Sequence, residues 1–231
     1  VSSTLALRIA AEMRSREELE ILNNAYIRFV PKAFLEMLGQ SSITKVNLGD
    51  HTRTNLTVMF TDIRSFTPLA ESLSEKKTFE FINEYFACLG PVVRQHNGVI
   101  DKYIGDAIMA LFKNPDDAVL AGLAMVDVLK EFNHKRGGKP IEMGIGLHTG
   151  EVMLGTIGEQ YRMEGTVIGD VVNLAARLED LTKKYDASFL ISNETKEATL
   201  PSDRYTFTFV DEVLAKGKTI PTQVFSVRRS E

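Results

Sequence analysis

Two aspartates lie where strand-forming residues give way to turns. Asp62 follows the apolar segment 56–60, and Asp106 stands in a Gly-Asp turn between the apolar runs 99–104 and 107–112, a pattern typical of a hairpin. Carboxylates at strand ends can be directed together at one divalent cation. Mg²⁺ usually takes one or two protein carboxylates and fills its other positions with water and substrate phosphates. The pair therefore predicts a site for a metal-bound nucleotide polyphosphate.

A structural interpretation of each aspartate must be weighed against this one. An Asp beside a Gly commonly bonds nearby backbone amides, so Asp106 alone would be explained by turn chemistry. The residues after Asp62 favour function, because Ser65, Phe66 and Thr67 open a helical segment whose backbone amides can hold phosphate oxygens.

Four longer motifs extend this pattern. In chain order they are FTDIRSFT (60–67), DKYIGDAIMALF (101–112), GIGLHTGEVMLGTIG (144–158) and GTVIGDVVNLAARLE (165–179). Together they resemble the catalytic domain of the class III nucleotidyl cyclases, of the bacterial adenylyl type. The resemblance extends from about Val46 to the C-terminus, and several long motifs in register are far more specific than one short pattern.

Composition agrees with one globular domain and a short appendage. The chain has 231 residues, of which 44% are hydrophobic and 25% charged. A net charge of −4 gives no broad attraction to nucleic acid, so no nucleic-acid partner is expected. The lone Cys88 excludes an intrachain disulfide and is expected to be a small core residue, not a nucleophile.

The first residue and the absence of long apolar runs lead to expectations about the full-length protein and its location in the cell. No apolar run reaches about 18 residues and no signal peptide is evident. The chain opens on Val1, so we expect a fragment of a longer protein with an upstream sensor domain. Its catalytic part is expected in the cytoplasm, whether or not the full-length protein is attached to a membrane.

Hydrophobic periodicity predicts the elements. Residues 1–45 are expected to form a helical signalling segment with an amphipathic helix over 1–28, whose apolar stripe slips near Ser15, and a second helix over 28–39. A linker over 41–53, with a short extended piece at 45–48, is expected to lead into the catalytic domain. The catalytic domain spans 46–231, and its expected elements are strand 56–61, helix 75–96, hairpin 98–112, helix 115–133, strands 141–147 and 152–157, helix 170–184, and strands 188–191, 205–210 and 221–227.

These elements imply an α/β (α+β) fold in which helices pack on a βαβ-containing sheet, and the resemblance narrows it to a ferredoxin-like core. Helix 75–96 is expected to bury a stripe at steps of three or four, formed by Phe79, Ile82, Phe86, Leu89 and Val93.

The base pocket can be predicted from hydrogen-bonding groups. Adenine offers N1 as an acceptor and its amino group as a donor, whereas guanine inverts both. The resemblance implies that Lys102 and Thr166 hold the base-reading positions, where guanylyl cyclases carry Glu and typically Cys. Because Lys cannot accept a hydrogen bond, ATP is favoured over GTP. The alternatives are an exposed strand lysine and an ordinary β-branched strand residue.

The resemblance also implies the catalytic groups. Two divalent cations, Mg²⁺ or Mn²⁺, would be held by the metal set Asp62, Ile63 and Asp106. Asn173 would orient the ribose, Arg177 would stabilise the transition-state phosphate, and Lys216 would contact the β- and γ-phosphates. A solvated polar pair four residues apart and a flexible loop charge are the alternatives for these three. Ser65, Phe66 and Thr67 complete the substrate-binding set.

One position departs from the family pattern, because Gly144 stands where many animal cyclases place a phosphate-binding Arg. In the family, two catalytic domains share each active site, and this chain carries both sets of residues. We therefore expect a head-to-tail homodimer with two sites and an inactive monomer.

The predicted function is an adenylyl cyclase that converts ATP to 3′,5′-cyclic AMP and pyrophosphate. Three alternatives remain: a guanylyl cyclase, a non-catalytic dimerising regulatory domain, and a nucleic-acid module of the same topology. Lys102 and Thr166 disfavour the first, the intact Asp and Asn/Arg set disfavours the second, and the acidic balance opposes the third.

Overall fold

The computed structural model describes residues 2–27, 32–214 and 221–230. Within it the chain divides into two compact units, Val1–Val46 and Asn47–Glu231. No helix in the described ranges is long and apolar enough to span a membrane.

The first unit is helical. Helix α1 (Ser2–Ile27) continues without a break through Ser15, and its apolar residues Ile9, Met13 and Leu19 are each half exposed or more. Helix α2 (Lys32–Met37) falls within the second expected helix, of which residues 28–31 lie outside the described ranges. The extended piece expected at 45–48 is wrong at both of its ends, although Val46 between them has an extended backbone. A 3₁₀ turn occupies Ile43–Lys45, because the Ser42 hydroxyl caps it by accepting from the Thr44 amide, and a further turn follows at 48–49.

The second unit is built on one mixed sheet. Its described strands are β1 (His51–Ile63), β2 (Val99–Ile104), β3 (Ala107–Phe112), β4 (Met143–Glu159), β5 (Arg162–Ile168), β6 (Phe189–Ser192), β7 (Tyr205–Val213) and β8 (Thr222–Arg229). The order is β2-β3-β1-β4-β6-β8-β7, and β5 pairs with β4. The described pairs are antiparallel except β4 with β6. The α/β sheet expected from the sequence is confirmed.

Strand β4 differs from the expectation of two separate strands at 141–147 and 152–157. It is a single strand of 17 residues. Strand β1 pairs with it without interruption from His51↔Gly155 to Ile63↔Met143, and inside that ladder the Thr57 and Thr149 hydroxyls hydrogen-bond at 2.8 Å. Continuous pairing overrides the local weakness of the glycines in this stretch.

Helices cover both faces of the sheet. They are α3 (Phe66–Glu71), α4 (Glu75–Gln95), α5 (Pro115–Arg136), α6 (Asp170–Lys184) and α7 (Asn193–Ala198). The Ser74 hydroxyl and the Asn114 side chain accept from the first turns of α4 and α5, and Pro115 fits the first position of α5. Strand β5, helix α7 and the full length of β1 were not expected from the sequence.

The buried face of α4 corrects one expectation. Phe79 is 71% exposed, whereas the other four residues of the expected stripe are buried in the main core or packed against it: Ile82, Phe86, Leu89 and Val93. Phe81 and Tyr85 are also buried there. The rings of Phe81 and Tyr85 contact Phe132 of α5 at centroid distances of 6.2 Å, so these two residues extend the buried face in place of Phe79. Cys88 packs beside this core, as expected.

Helix α6 lies very close to the sheet. A Cβ added at Gly146 of β4 would stand 2.3 Å from the Glu179 amide nitrogen and 2.4 Å from the Ala175 carbonyl oxygen. Both atoms belong to the backbone of α6, so the helix and the strand touch main chain to main chain. Only glycine permits this approach.

Candidate active site

The two strand-end aspartates meet at one end of the sheet. Asp62 is the second-last residue of β1, and Asp106 lies in the β2–β3 turn beside Gly105, whose φ of 63° suits glycine. Because β1 and β3 pair antiparallel up to Thr61↔Ile108, the turn lies next to the end of β1. The amide of Ile63 donates to Asp62 Oδ1 at 3.0 Å and to Asp106 Oδ2 at 3.3 Å. The two carboxylates therefore converge on one backbone N–H.

Their closeness has an electrostatic consequence. Burial, a hydrogen bond shared with Asp62 and the negative charge of Asp62 all raise the pKa of Asp106 well above its ordinary value. A cation placed between two such carboxylates would relieve this repulsion. The described residues include no group of three or more His, Cys, Asp or Glu side chains arranged for a metal. A pair of hard oxygen donors suits Mg²⁺, which completes its coordination with water and phosphate.

Ile63 can join such a centre only through its carbonyl oxygen, since its side chain is apolar and 1% exposed. The following residue fixes the turn. Arg64 donates to the carbonyl oxygens of Thr182 and Ala187 at 3.0 and 2.9 Å and pairs with Glu142 at 3.2 Å. The turn that carries Asp62 is thereby fastened to the C-terminal end of α6. This role of Arg64 was missed, although its place directly after Asp62 and Ile63 was visible.

Helix α6 also brings charges to Asp62. Lys183 Nζ lies 3.9 Å from Asp62 Oδ2. Glu179 is 6% exposed, and its Oε1 has no hydrogen-bond partner among the described residues. Burial and the charge of Asp62 raise the pKa of Glu179 to about 7. Sequence reasoning missed both residues, because their spacing from Arg177 gave no sign that they lie near Asp62.

The position of Glu179 explains why residue 144 is a glycine. A Cβ there would stand 2.4 Å from both Glu179 Oε1 and Thr182 Oγ1. A side chain at this position would therefore enter the space that Glu179 fills. Gly144 thus stands where the resemblance led us to expect an Arg, and the buried carboxylate of Glu179 lies against it.

The segment Ser65, Phe66 and Thr67 begins α3. Ser65 has a left-handed backbone with φ 56° and makes no capping hydrogen bond through its side chain. The Phe66 ring packs toward the core, 6.4 Å from Phe81, so its side chain is turned from solvent. Only backbone amides and the exposed Ser65 and Thr67 side chains of this segment can face a phosphate.

The predicted base-reading residues are brought to one face. Lys102 Nζ donates to Glu164 Oε1 at 2.8 Å. Glu164 and Thr166 are two residues apart on β5, so their side chains leave the same face of that strand. Lys102 thus contacts the face of β5 from which Thr166 also projects. The contact with Glu164 was not predicted, although its spacing of two from Thr166 on a strand carried the signal.

Asn173 and Arg177 are exposed on the N-terminal half of α6, one turn apart. The C-terminal half of the same helix meets Asp62 through Lys183. One helix therefore carries two sets of predicted site residues at different positions along its length. Lys216 lies outside the described residues.

Comparison with known proteins identifies the family of the chain. The sequence profile of the adenylate and guanylate cyclase catalytic domain matches residues 49–227. An adenylate cyclase of Anabaena cylindrica is 36% identical over 229 residues, which cover 95% of this chain and 46% of that protein. The chain thus spans about half the length of this curated relative.

Two solved structures extend the comparison. The adenylyl cyclase CyaB from P. aeruginosa is 32% identical and superposes with a TM-score of 0.68, covering 78% of this chain and 97% of that one. The guanylyl cyclase Cya2 is 34% identical with a TM-score of 0.67, covering 76% of this chain and 92% of that one. Similarity to both kinds of enzyme leaves the choice of base to the residues of the pocket.

Proposed function

Because this chain belongs to the adenylate and guanylate cyclase catalytic-domain family, we propose that it converts ATP to 3′,5′-cyclic AMP and pyrophosphate. The observation that carries the choice of ATP is the position of Lys102, a donor that contacts Glu164, which projects from the same face of β5 as Thr166. A lysine in the base pocket suits N1 of adenine and opposes the N–H that guanine presents there.

The reaction joins the ribose 3′-oxygen to the α-phosphorus and breaks the bond to pyrophosphate, so negative charge moves onto phosphate oxygens. Divalent cations, Mg²⁺ or Mn²⁺, would supply the activation of the 3′-hydroxyl and the neutralisation of the triphosphate. Asp62 and Asp106 would hold two such ions, together with the carbonyl of Ile63. Their shared amide contact supports this assignment, because it aims both carboxylates at one place.

The remaining groups act on the substrate. Asn173 would orient the ribose, and Arg177 would bind the α-phosphate as its charge grows, since its planar fork grips two oxygens. Lys216 and the backbone amides of residues 65–67 would hold the β- and γ-phosphates. Gly144 contributes no cation, so these groups carry more of the triphosphate binding in our proposal.

Two chains would be needed for each site. Asn173 and Arg177 are exposed on a helix whose other half adjoins Asp62 of the same chain. We infer a head-to-tail homodimer in which the aspartates of one chain meet Lys102, Thr166, Asn173 and Arg177 of the other. We place the activity in the cytoplasm, under the control of a sensor domain in the longer protein.

A guanylyl cyclase is the second candidate, favoured by the 34% identity to Cya2. One assay separates the two. The purified protein is incubated with Mg²⁺ or Mn²⁺ and either ATP or GTP, and the products are identified by chromatography. We expect cyclic AMP and pyrophosphate from ATP. Cyclic GMP and pyrophosphate from GTP as the main products would establish the second candidate.

The matched controls are Asp62→Ala and Asp106→Ala. Each should lose turnover while circular dichroism and dimer size stay as in the wild type, because neither side chain belongs to the apolar core. Absence of any product from the folded wild-type dimer would instead indicate a non-catalytic dimerising domain.

A further inference from the structure

Strand β2 contains an irregularity beside Lys102. Ile100 pairs with Ala110 of β3, and Lys102 pairs with Met109, so the residue between them is an extra one on the β2 side. That residue is Asp101. In a regular strand, consecutive side chains leave opposite faces, but a bulge turns the chain locally and redirects a side chain. Here the bulge allows Asp101 and Lys102 to meet.

The two neighbours form a close ion pair. Asp101 Oδ2 lies 3.6 Å from Lys102 Nζ, and the Asp101 side chain is 1% exposed. At hydrogen-bond distance that oxygen has no partner among the described residues. Glu164 approaches the same ammonium at 2.8 Å, with its side chain 54% exposed. Lys102 is therefore held by one buried and one exposed carboxylate.

The electrostatics of the three groups agree with this geometry. Burial raises the pKa of Asp101 to about 6, against the lowering effect of Lys102. Burial alone would lower the pKa of Lys102, but the hydrogen bond to Glu164 and the charge of Asp101 raise it above its ordinary value. A buried carboxylate is costly unless it is paired, and Lys102 is the cation beside it.

We propose that Asp101 is a positioning residue for the base pocket: through the bulge it holds the Lys102 ammonium at a fixed place, so that its remaining donor faces N1 of adenine. This inference rests on the proposed adenylyl cyclase function and on the role of Lys102 in it. A lysine side chain has four rotatable bonds and would otherwise lose much conformational freedom on binding a base. Pairing in the unbound protein removes that cost before ATP arrives.

The test is a double-mutant cycle on the ratio of kcat/KM for ATP to kcat/KM for GTP. The variants are Asp101→Asn, Lys102→Met and both together. Asp101→Asn should raise KM for ATP with little change in kcat and lower the ratio roughly tenfold, a size between those expected for an exposed and a buried ion pair. In the Lys102→Met background the same change should have no further effect on the ratio.

Two controls accompany the cycle. Asp127→Asn removes a surface carboxylate that pairs with Arg229 and Lys130, and it should leave both kinetic constants unchanged. The metal concentration for half-maximal activity should be the same in Asp101→Asn and in the wild type, since Asp62 and Asp106 are untouched. Asp101→Ser is the substitute if Asp101→Asn does not fold.

The outcomes are separable. If Lys102→Met leaves the ATP-to-GTP ratio unchanged, Lys102 does not read the base and the proposed function loses its support. If Lys102→Met changes the ratio but Asp101→Asn does not, or acts equally with and without Lys102, the role of Asp101 is overturned alone. Failure of both Asp101 variants to fold would make the carboxylate structural and would overturn the proposal as well.

Discussion

At the scale of single residues, the proposed base pocket has two carboxylates close to Lys102. Asp101 and Glu164 both contact its ammonium, at 3.6 and 2.8 Å. Any substitution of Lys102 therefore also changes the environment of two carboxylates. This coupling determines how the choice of nucleotide can be altered.

A first prediction concerns a swap of base preference. Lys102→Glu with Thr166→Cys should weaken ATP use and raise the relative use of GTP, because a carboxylate accepts from guanine N1–H. The new Glu would meet Asp101 and Glu164, so repulsion should raise its pKa and keep total activity low. Adding Glu164→Gln should increase GTP turnover. Steady-state kinetics with both nucleotides checks this, and an unchanged ATP-to-GTP ratio in all variants would contradict it.

A second prediction concerns Glu179, whose pKa is raised from 4.5 to about 7 in the folded protein. Below the ordinary glutamate pKa both states are protonated, so the group does not affect stability. Between that value and about 7 the folded state binds more protons, and the free energy of unfolding falls as pH rises. Glu179→Gln should therefore gain stability relative to wild type between about pH 5 and about pH 8. Urea unfolding with a metal chelator measures the difference, and a difference independent of pH would refute it.

At the scale of elements, the bounds of most helices and of the β2–β3 hairpin could be predicted from periodicity and capping residues. Helix α6 at Asp170–Lys184 and hairpin strands on either side of Gly105 agree with their expected ranges. The burial of Phe81 and Tyr85 in place of Phe79 could not be predicted, because each of the three lies three or four residues from another apolar residue of α4. Only packing on the sheet distinguishes them.

The candidate site likewise contains contacts that the sequence predicts and contacts that it does not. The proximity of Asp62 and Asp106 could be predicted. Asp62 ends a predicted strand and Asp106 lies in the turn of a predicted hairpin, and carboxylates at strand ends can converge on one cation. The contacts of Lys102 with Glu164, 62 residues away, and of Lys183 with Asp62, 121 apart in number, depend on tertiary structure. The bulge at Asp101 leaves no mark in hydrophobic periodicity, since it changes pairing by a single residue.

A third prediction tests the close contact of α6 with β4. Gly146→Ala should destabilise the protein by about 3 kcal/mol and lower activity, because a Cβ there meets the backbone of α6 and must displace the helix. Gly90→Ala in α4 is the matched control, since its Cβ would have no neighbour nearer than 3.5 Å. The control should be neutral or slightly stabilising. Thermal unfolding of both variants gives the comparison, and equal effects would rule out the steric explanation.

At the scale of the whole molecule, the proposed dimer places the groups of one chain in two different sites. Asp62→Ala and Arg177→Ala should each be nearly inactive alone, since every site in either homodimer lacks one group. Mixed, they form heterodimers with one doubly defective site and one intact site. With random exchange about half of the dimers are mixed, so roughly a quarter of wild-type activity should return.

The control for this fourth prediction is subunit exchange itself, followed by two different affinity tags on the two variants. Activity should appear in the fraction that carries both tags. No activity in that fraction would mean that Asp62 and Arg177 act in the same chain's site, and the shared-site arrangement would be wrong.

The contact at Gly146 also bears on how such an enzyme is switched on. Arg64 ties the turn after Asp62 to the end of α6, and the helix backbone touches β4. Because strand, helix and turn contact one another directly, we expect the proposed metal-binding aspartates and the Asn173/Arg177 surface to move together as one rigid unit. An activating signal then has little to rearrange inside a subunit. We expect it to change the angle or spacing between the two subunits of the proposed dimer, so that regulation moves the subunits relative to each other and leaves the structure of each unchanged.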